Sequence, residues 1–373
     1  MGSLAKGISL VRHRFFSANP FFLVFHITAR CNARCAFCFN WEHVQQARER
    51  PELTLEEIAR LTARLGPLYQ LTLSGGEPFL RRDLPDIIRL FATDCGLQTL
   101  TIPTNGMLPA RIGASLERAL ADNPGVHIRL GLSTPEIGPE LEAVYQVRNA
   151  FAKHQESAAL LTALACKYSN LTLTAATLCT AANAGRIRDI LAHVRRQMPG
   201  FISQLALVRG SLTDDSLKQL DPALARELFR IHRAIFPEDD NRPLAGLLNV
   251  LGDSVNEYSL ACLERTAPWI PCRCGDRLVV LYDNGDVFPC EYLDRPLGNV
   301  RAADFDLKAV LASPQARATV DWIIREHCQC TWECASFVNF FYSPLNMARV
   351  LIRYASRPAP PRAVGVVDGD GTS

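Results

Sequence analysis

Three cysteines, Cys31, Cys35 and Cys38, lie directly after the apolar run Phe21–Ile27. Because this run predicts a buried strand, the cysteines occupy the loop that leaves the strand. Thiolates at such close spacing converge on a metal centre and do not build a core. Three thiolates can hold three irons of a [4Fe–4S] cluster and leave the fourth iron open to a second molecule. The spacing therefore predicts an iron–sulfur site with an open coordination position.

Two other interpretations of these cysteines stay open. The first is a zinc site, in which the thiolates bind one ion and His43 or His26 supplies the fourth, tetrahedral ligand. The second is that the thiols are buried and inert, as free cysteines often are. A second motif, later in the chain, favours the cluster over both.

That motif, Gly75-Gly76-Glu77-Pro78, follows the short predicted strand Gln70–Ser74, one predicted helix after the cysteines. Taken alone, such a sequence is most often a turn that ends a strand. Combined with the cysteine spacing, it resembles the radical S-adenosylmethionine (SAM) superfamily. The resemblance implies that the open iron binds the amino and carboxylate groups of SAM. It also implies that the reduced cluster cleaves SAM to a 5′-deoxyadenosyl radical.

The resemblance assigns roles to individual residues. Cys31, Cys35 and Cys38 become the cluster ligands of the catalytic centre. Glu77 would receive the SAM amino group, and Phe37 would lie beside the adenine, although an aromatic residue there also packs the loop. The implied SAM-binding positions are Phe37, Gly75, Gly76, Glu77, Asn105, Ser133 and Thr177. The last three end predicted strands, where a serine is ordinarily only a turn former.

Strand and helix patterns alternate through the first half of the chain. The six predicted strands are Phe21–Ile27, Gln70–Ser74, Leu97–Ile102, Val126–Leu132, Leu171–Leu178 and Ile202–Val208. Each but the last precedes a helical pattern, which predicts parallel strands with right-handed crossovers and hence an α/β fold. Six units are fewer than those of a closed TIM barrel. They match the open, TIM-like partial (β/α)6 barrel of the radical SAM superfamily.

Further cysteines cluster toward the C-terminus, at Cys272, Cys274, Cys290, Cys328, Cys330 and Cys334. Ten residues separate Cys274 from Gly285 and four separate Gly285 from Cys290, a spacing similar to the SPASM and Twitch extensions of radical SAM enzymes. Asn284-Gly285 predicts a tight hairpin turn that brings these two cysteines together. The resemblance implies a small C-terminal cysteine-rich α+β domain with at least one auxiliary iron–sulfur cluster, of the [4Fe–4S] type.

The predicted ligands of the auxiliary cluster are Cys274, Cys290, Cys330 and Cys334, with Cys272 and Cys328 as close alternatives. The full SPASM pattern continues with a further cysteine, and none follows Cys334. The number of auxiliary clusters, one or two, therefore stays open. Four thiolates suit zinc equally well by ligand type, so a zinc site is the alternative here too.

The composition is that of an ordinary globular protein, with 48% hydrophobic and 21% charged residues among 373. A net charge of +2 indicates no general affinity for nucleic acid or for a membrane surface. No apolar stretch approaches the ~20 residues of a spanning helix. The N-terminal residues lack the apolar core of a signal peptide. Thirteen cysteines without an export signal predict a reducing, cytoplasmic location.

These patterns divide the chain into predicted parts. They are an N-terminal extension (1–20), the radical SAM partial barrel (21–215), a helical connector (216–260), the SPASM/Twitch-like auxiliary cluster domain (261–340), a C-terminal helix (341–356) and a disordered tail (357–373).

The predicted reaction is hydrogen abstraction from a small metabolite, carbohydrate-derived ones included, or from a peptide. The resemblance favours net oxidation, by dehydrogenation or cross-linking, with epimerisation as a redox-neutral alternative. A flavodoxin or ferredoxin would supply electrons, and neither nucleic acid nor stable membrane insertion is expected. The alternative is a non-catalytic iron–sulfur or zinc scaffold that transfers electrons or docks a partner. Glu77 and the open three-cysteine site favour the enzyme, because an electron carrier needs neither.

Overall fold

The computed structural model describes residue 14 and residues 19–49, 51–236 and 245–356. The predicted N-terminal extension lies almost entirely outside these residues. The predicted disordered tail, 357–373, lies entirely outside them.

The six predicted strands are confirmed, with small shifts at their ends. They are β1 (Phe22–Thr28), β2 (Gln70–Gly75), β3 (Thr99–Thr104), β4 (His127–Ser133), β5 (Leu171–Cys179) and β6 (Phe201–Leu207). Each pairs in parallel with the next in chain order. All positions of β1 are buried, as expected for a parallel strand covered on both faces. The architecture is the α/β partial barrel that the alternation predicts.

Helices connect the strands and extend beyond them. They are α1 (Trp41–Gln45), α2 (Leu55–Leu65), α3 (Leu84–Cys95), α4 (Pro109–Asp122), α5 (Glu140–Tyr145), α6 (Ala150–Lys167), α7 (Ile187–Gln197), α8 (Pro222–Ile235), α9 (Ala245–Leu263), α10 (Leu307–Leu311), α11 (Pro314–Arg325), α12 (Glu333–Tyr342) and α13 (Pro344–Ala355). None of the described helices is both long enough and apolar enough to cross a membrane.

The alternation of side chains along β1 divides the core in two. Leu23, Phe25 and Ile27 belong to the large apolar cluster that also contains the buried faces of the outer helices. Phe22 and Val24, on the other face, pack in a second cluster with residues of the C-terminal region. Because side chains alternate between the two faces of a strand, one strand anchors both parts of the protein.

A C-terminal hairpin extends the same sheet. It consists of β7 (Leu278–Leu281) and β8 (Asp286–Phe288), followed by the short β9 (Gly298–Asn299). The predicted turn between β7 and β8 is confirmed, and β7 pairs in parallel with β1. This pairing covers an edge that β1 would otherwise expose. The result is one nine-stranded sheet, so the predicted domain boundary after residue 260 stays a prediction.

Two helices begin at sequences of the capping type, with different outcomes. At α2 a capping box forms: Thr54 Oγ1 accepts a hydrogen bond from the Glu57 amide, and the Glu57 carboxylate accepts one from the Thr54 amide. At α3, Asp83 stands at the N-cap position but its carboxylate makes no capping hydrogen bond. It accepts hydrogen bonds from Arg81 at 2.8 and 2.6 Å instead, because a charged bidentate partner competes successfully with the helix amides.

Candidate functional site

The first cysteine loop, residues 31–38, begins shortly after β1 ends. The backbone amide of Ala33 donates to Cys31 Sγ at 3.4 Å, and the amide of Cys38 donates to the carbonyl of Cys35 at 3.1 Å. All three cysteines are free and half-buried. These contacts curl the loop so that its sulfur atoms share one partly enclosed environment.

The three thiols of this loop share an electrostatic environment in which burial has the largest effect. Burial raises the pKa of Cys31 to about 11 and also raises the pKa values of Cys35 and Cys38. For Cys35, the neighbouring Cys31 and Cys38 are the next causes, so the three sulfurs lie within electrostatic reach of one another. Thiolates so placed repel, and bound metal ions compensate that repulsion. Among the described residues, no group of three or more His, Cys, Asp or Glu side chains is arranged to hold a metal ion.

Gly75 and Gly76 pack directly on the start of the cysteine loop. The Gly76 amide donates to the Thr28 carbonyl, and the Glu77 amide donates to the Arg30 carbonyl, both at 2.8 Å. A Cβ atom on Gly75 or Gly76 would lie 2.1 Å from one of these carbonyl oxygens, and Gly75 also has φ +130°. Only glycine allows this approach, so the glycine pair fixes where the loop begins.

The carboxylate of Glu77 is buried and joins the ends of β2 and β3. It accepts hydrogen bonds from Thr104 Oγ1 at 2.9 Å, from the Asn105 amide at 2.9 Å and from the Phe79 amide at 3.2 Å. Burial raises the pKa of Glu77 to about 7, although these donors lower it. A carboxyl group in this state favours a nearby positive charge, since a cation would stabilise its ionised form.

Asn105 links Glu77 to the cysteine loop. Its side-chain amide donates to Asn32 Oδ1 at 2.8 Å and lies 3.9 Å from Cys31 Sγ. Its own Oδ1 accepts a hydrogen bond from the Met107 amide at 2.9 Å. Sequence motifs separated by many residues thus meet at the carboxyl ends of β1, β2 and β3, where parallel folds place their ligands.

The other three predicted SAM-binding residues are Phe37 on the cysteine loop, Ser133 on β4 and Thr177 on β5. Phe37 packs against a small apolar cluster that includes Tyr145. Ser133 ends β4, where it pairs with Ala176, the neighbour of Thr177 on β5. The Thr177 hydroxyl is buried and has no hydrogen-bond partner among the described residues. A ligand hydroxyl or carboxylate would satisfy it.

Tyr145 is a residue that the sequence patterns do not single out. Its carbonyl accepts a hydrogen bond from the Arg34 amide at 3.0 Å, and its hydroxyl donates to the Ser133 carbonyl at 2.9 Å. The Gln146 side chain donates to the Arg34 carbonyl at 3.0 Å. The end of α5 therefore holds the cysteine loop at Arg34, whereas the glycine motif contacts the chain at Arg30. No local sequence signal marks this role, since it depends on how α5 docks.

The C-terminal cysteine group comprises Cys272, Cys274, Cys290, Cys328, Cys330 and Cys334, which are free and packed in or against the second apolar cluster. A hydrogen bond with Cys274 is the main cause that lowers the pKa of Cys272 to about 7. Burial is the largest cause that raises the pKa of Cys330, and the neighbouring Cys272 and Cys290 also raise it. Cys272 thus lies within the group and not at its margin.

Cys334 has different neighbours. Burial raises the pKa of Cys334 to about 12, and its next strongest influences are Arg209, Glu291 and Glu333. By contrast, burial is the largest cause that raises the pKa of Cys328, and the neighbouring Cys272 is the next. Cys272 and Cys328 therefore lie within electrostatic reach of each other, and which of the six cysteines bind metal stays a prediction.

A cavity of about 350 Å³ lies at the ends of β5 and β6, beside the C-terminal cysteine segments. Its wall includes Cys179 and Leu207, the last residues of β5 and β6, together with Arg209, Lys218, Tyr292 and Thr331. Tyr292 and Thr331 belong to the segments that carry Cys290 and Cys330. Its volume is at the lower end of the roughly 300–1,000 Å³ range of small-molecule sites.

Comparisons with known proteins agree with this geometry. The Radical SAM superfamily model matches residues 25–168. The chain is 29% identical over 106 residues to a GTP 3',8-cyclase of Desulforamulus reducens, which covers 28% of this chain and 33% of that protein. It is 40% identical over 96 residues to the GTP 3',8-cyclase of Rhodopirellula baltica, covering 25% of this chain and 27% of that protein. The chain thus spans about a third or less of the length of these two relatives.

The fold is similar to that of anSMEcpe, solved with bound AdoMet and the Cp18Cys peptide. The match has a TM-score of 0.59 and 17% sequence identity, and it covers 90% of this chain and 99% of that one. At this identity the likeness concerns the fold alone. The chain therefore contains a region, residues 25–168, that matches the radical SAM superfamily.

Proposed function

We propose that this protein reductively cleaves SAM at the first cysteine loop and abstracts a hydrogen atom from a substrate. The observation that carries the proposal is the meeting of the loop with Glu77 and Asn105 at the carboxyl ends of three parallel strands. A one-electron reductant of the flavodoxin or ferredoxin class would supply the electron. SAM plus one electron gives methionine and a 5′-deoxyadenosyl radical, which becomes 5′-deoxyadenosine on taking the substrate hydrogen.

Cys31, Cys35 and Cys38 are the residues that would hold the [4Fe–4S] cluster. Bound there, the cluster supplies the electron and an open iron for the amino and carboxylate groups of SAM. The protein's part is to fix the loop, which the Gly75-Gly76-Glu77 segment does at Thr28 and Arg30 and Tyr145 does at Arg34.

Glu77 is placed to favour the SAM ammonium. Its carboxyl group is buried, its pKa is raised to about 7, and a cation beside it would stabilise the ionised form. Asn105, Ser133 and Thr177 follow at the ends of β3, β4 and β5, where they would contact the rest of SAM. Phe37, on the loop itself, would pack beside the adenine.

The substrate would occupy the cavity at the ends of β5 and β6. A volume of about 350 Å³ suits a small metabolite or one side chain of a peptide. The two relatives are named for GTP, but they match about a quarter of this chain, so GTP does not follow as its substrate. Net oxidation, by dehydrogenation or cross-linking, is the favoured outcome, since the C-terminal cysteine group would hold an electron-accepting cluster. Epimerisation is the redox-neutral alternative.

The proposal is tested by anaerobic reconstitution with iron and sulfide, reduction with dithionite and assay of 5′-deoxyadenosine. Wild-type protein should release it slowly even without substrate. Replacing Cys31, Cys35 and Cys38 by alanine should abolish release, whereas replacing Cys166 and Cys262, outside both groups, should not. Protein that holds a full cluster and binds SAM, yet never yields 5′-deoxyadenosine, would instead be the non-catalytic scaffold.

A further inference from the structure

Arg209, two residues after the end of β6, contacts both cysteine regions. Its Nη1 donates to Glu333 Oε2 at 3.2 Å, and its Nη2 lies 3.6 Å from Glu291 Oε2. On the other side, its guanidinium lies over the ring of Phe39, 5.5 Å from the centroid. Glu291 follows Cys290, Glu333 precedes Cys334 and Phe39 follows Cys38. One side chain therefore contacts the immediate neighbours of cysteines from both regions.

The loop after β6 presses on the first cysteine loop at two more points. Thr213 Oγ1 donates to the Ala36 carbonyl at 2.8 Å. Gly210 has φ +80°, and a Cβ atom there would lie 2.7 Å from the Cβ of Phe39. The close approach shows that the loop is seated against Phe39 and that Arg209 is held in place by its own backbone.

The charges around Arg209 explain why its loss would matter. The Glu291 side chain is 7% exposed and that of Glu333 is 27% exposed, and they come from separate segments. Without the guanidinium, two largely buried carboxylates would lose the cation that both contact, although His26 lies 3.2 Å from Glu291. Removing one partner of a buried ion pair is strongly destabilising, because a charge is left uncompensated. The two segments would be expected to separate.

We propose that Arg209 is a positioning residue that couples the C-terminal cysteine group to the first cysteine loop. It sets the spacing between the two regions, and with it the shape of the cavity that it lines. It also keeps a permanent positive charge beside the C-terminal group, since a guanidinium does not lose its proton. The structural coupling does not depend on the proposed function. The effect of the Arg209 charge on a redox centre does depend on it, because it requires the C-terminal cluster.

Hydrogen exchange of the full-length, anaerobically reconstituted protein tests the coupling. In Arg209→Gln, amides in residues 36–40 and 330–334 should exchange about tenfold faster or more, while those of β2 to β4 keep their wild-type rates. The control is Arg226→Gln, which removes a more exposed arginine paired with Glu264 at 2.6 Å and should leave both segments unchanged. Equal exchange in Arg209→Gln and wild type would overturn the coupling.

A second variant covers the case in which Arg209→Gln does not fold. Glu333→Gln removes only one of the two carboxylates and keeps the side-chain shape. Residues 330–334 should still exchange faster than in wild type, because the hydrogen bond to Arg209 loses its charge. Unchanged exchange in that variant would overturn the proposal equally.

The midpoint potential of the C-terminal iron centre shows whether Arg209 acts through its charge or only through packing. In protein that carries alanine at positions 31, 35 and 38, the remaining iron centre should shift to a more negative potential with Arg209→Gln, since a nearby positive charge stabilises the reduced form. Arg209→Lys keeps the charge and should restore the wild-type potential. The same midpoint potential with arginine, glutamine and lysine at position 209 would contradict the charge effect. Absence of iron in that centre would instead count against the auxiliary cluster, while the exchange result still decides the coupling.

Discussion

The Glu77 carboxylate accepts a hydrogen bond from the backbone amide of Asn105 at 2.9 Å, and this contact ties the end of β2 to the end of β3. Asn105 in turn binds Asn32 in the first cysteine loop, at 2.8 Å. The same carboxylate is the group that would favour the SAM ammonium. A change at Glu77 should therefore affect both ligand affinity and the stability of this corner of the sheet.

Glu77→Gln is the corresponding test. A glutamine amide in either orientation turns an NH₂ group toward a donor, so one hydrogen bond is lost, at a cost of about 1–3 kcal/mol in the free energy of unfolding. SAM affinity should fall roughly tenfold or more, since the charge-assisted contact is removed. Equilibrium binding and denaturant titration measure the two effects, with iron content expected to stay constant. Glu56→Gln, exposed on α2, is the matched control. Unaltered SAM binding would show that Glu77 is only structural.

The glycine pair makes a steric prediction. In Gly76→Ala, the new Cβ would lie 2.1 Å from the Arg30 carbonyl oxygen, so the start of the cysteine loop must move. Overpacking of this kind costs about 1–3 kcal/mol. We expect lower stability in denaturant and reduced iron in the first site. In Gly252→Ala the Cβ meets no atom within 4 Å and lies in helix α9, so stability should rise slightly. Equal stability and equal iron content in the two variants would contradict the close approach of Gly76 to the Arg30 carbonyl.

The C-terminal cysteines are tested by iron content. With alanine at positions 31, 35 and 38, about four irons per chain should remain, from one cube. Cys274→Ala or Cys290→Ala in that background should remove them and lower the melting temperature, because the centre joins distant segments. Cys262→Ala is the control and should leave the iron in place.

Two outcomes would change this assignment. About eight irons would indicate two auxiliary clusters, with Cys272 and Cys328 among the ligands. Zinc in place of iron, after anaerobic purification with iron supplied, would overturn the auxiliary cluster. If iron is retained in Cys334→Ala and lost in Cys272→Ala, then Cys272 is a ligand and Cys334 is not, contrary to the order that the sequence predicts.

The ion pair between Glu57 and Arg301 gives a pH prediction. Two hydrogen bonds at 2.7 and 2.8 Å join them, and the Arg301 guanidinium is the main cause that lowers the pKa of Glu57 to about 2. The folded-state pKa lies below the unfolded value of about 4.3, so the pair stabilises the protein above that pH. Its contribution is lost as pH falls from about 4.3 to 2.

Glu57→Gln should therefore make the melting temperature of the iron-free protein less dependent on pH over that interval. Glu56→Gln, the exposed neighbour on the same helix, should keep the wild-type dependence. Added salt should weaken the wild-type effect, because the pair is partly exposed. If the melting temperature of Glu57→Gln depends on pH as steeply as that of the wild type, the pair does not contribute to stability.

Much of the fold follows from local patterns in the sequence. Apolar runs predict all six barrel strands within a few residues, and the Thr54 capping box and the Asn284-Gly285 turn form where the sequence places them. These features depend on side-chain periodicity and on interactions between residues close in the chain, which a sequence displays directly. The cysteine spacing and Gly75-Gly76-Glu77 also indicate the chemistry of the site, because its ligands are neighbours in the chain.

The tertiary structure alone decides how these pieces meet. No local pattern predicts that β7 pairs with β1, that Tyr145 clamps the cysteine loop, or that Arg209 contacts both cysteine regions. Arg209 does stand directly after a predicted strand, where other site residues were found, but its partner Glu333 lies 124 positions away and Phe39 lies farther still. Such contacts form only when distant segments pack together, and their energies depend on burial and charge in the assembled protein. Sequence thus determined the elements and the candidate chemistry, and packing decided their arrangement.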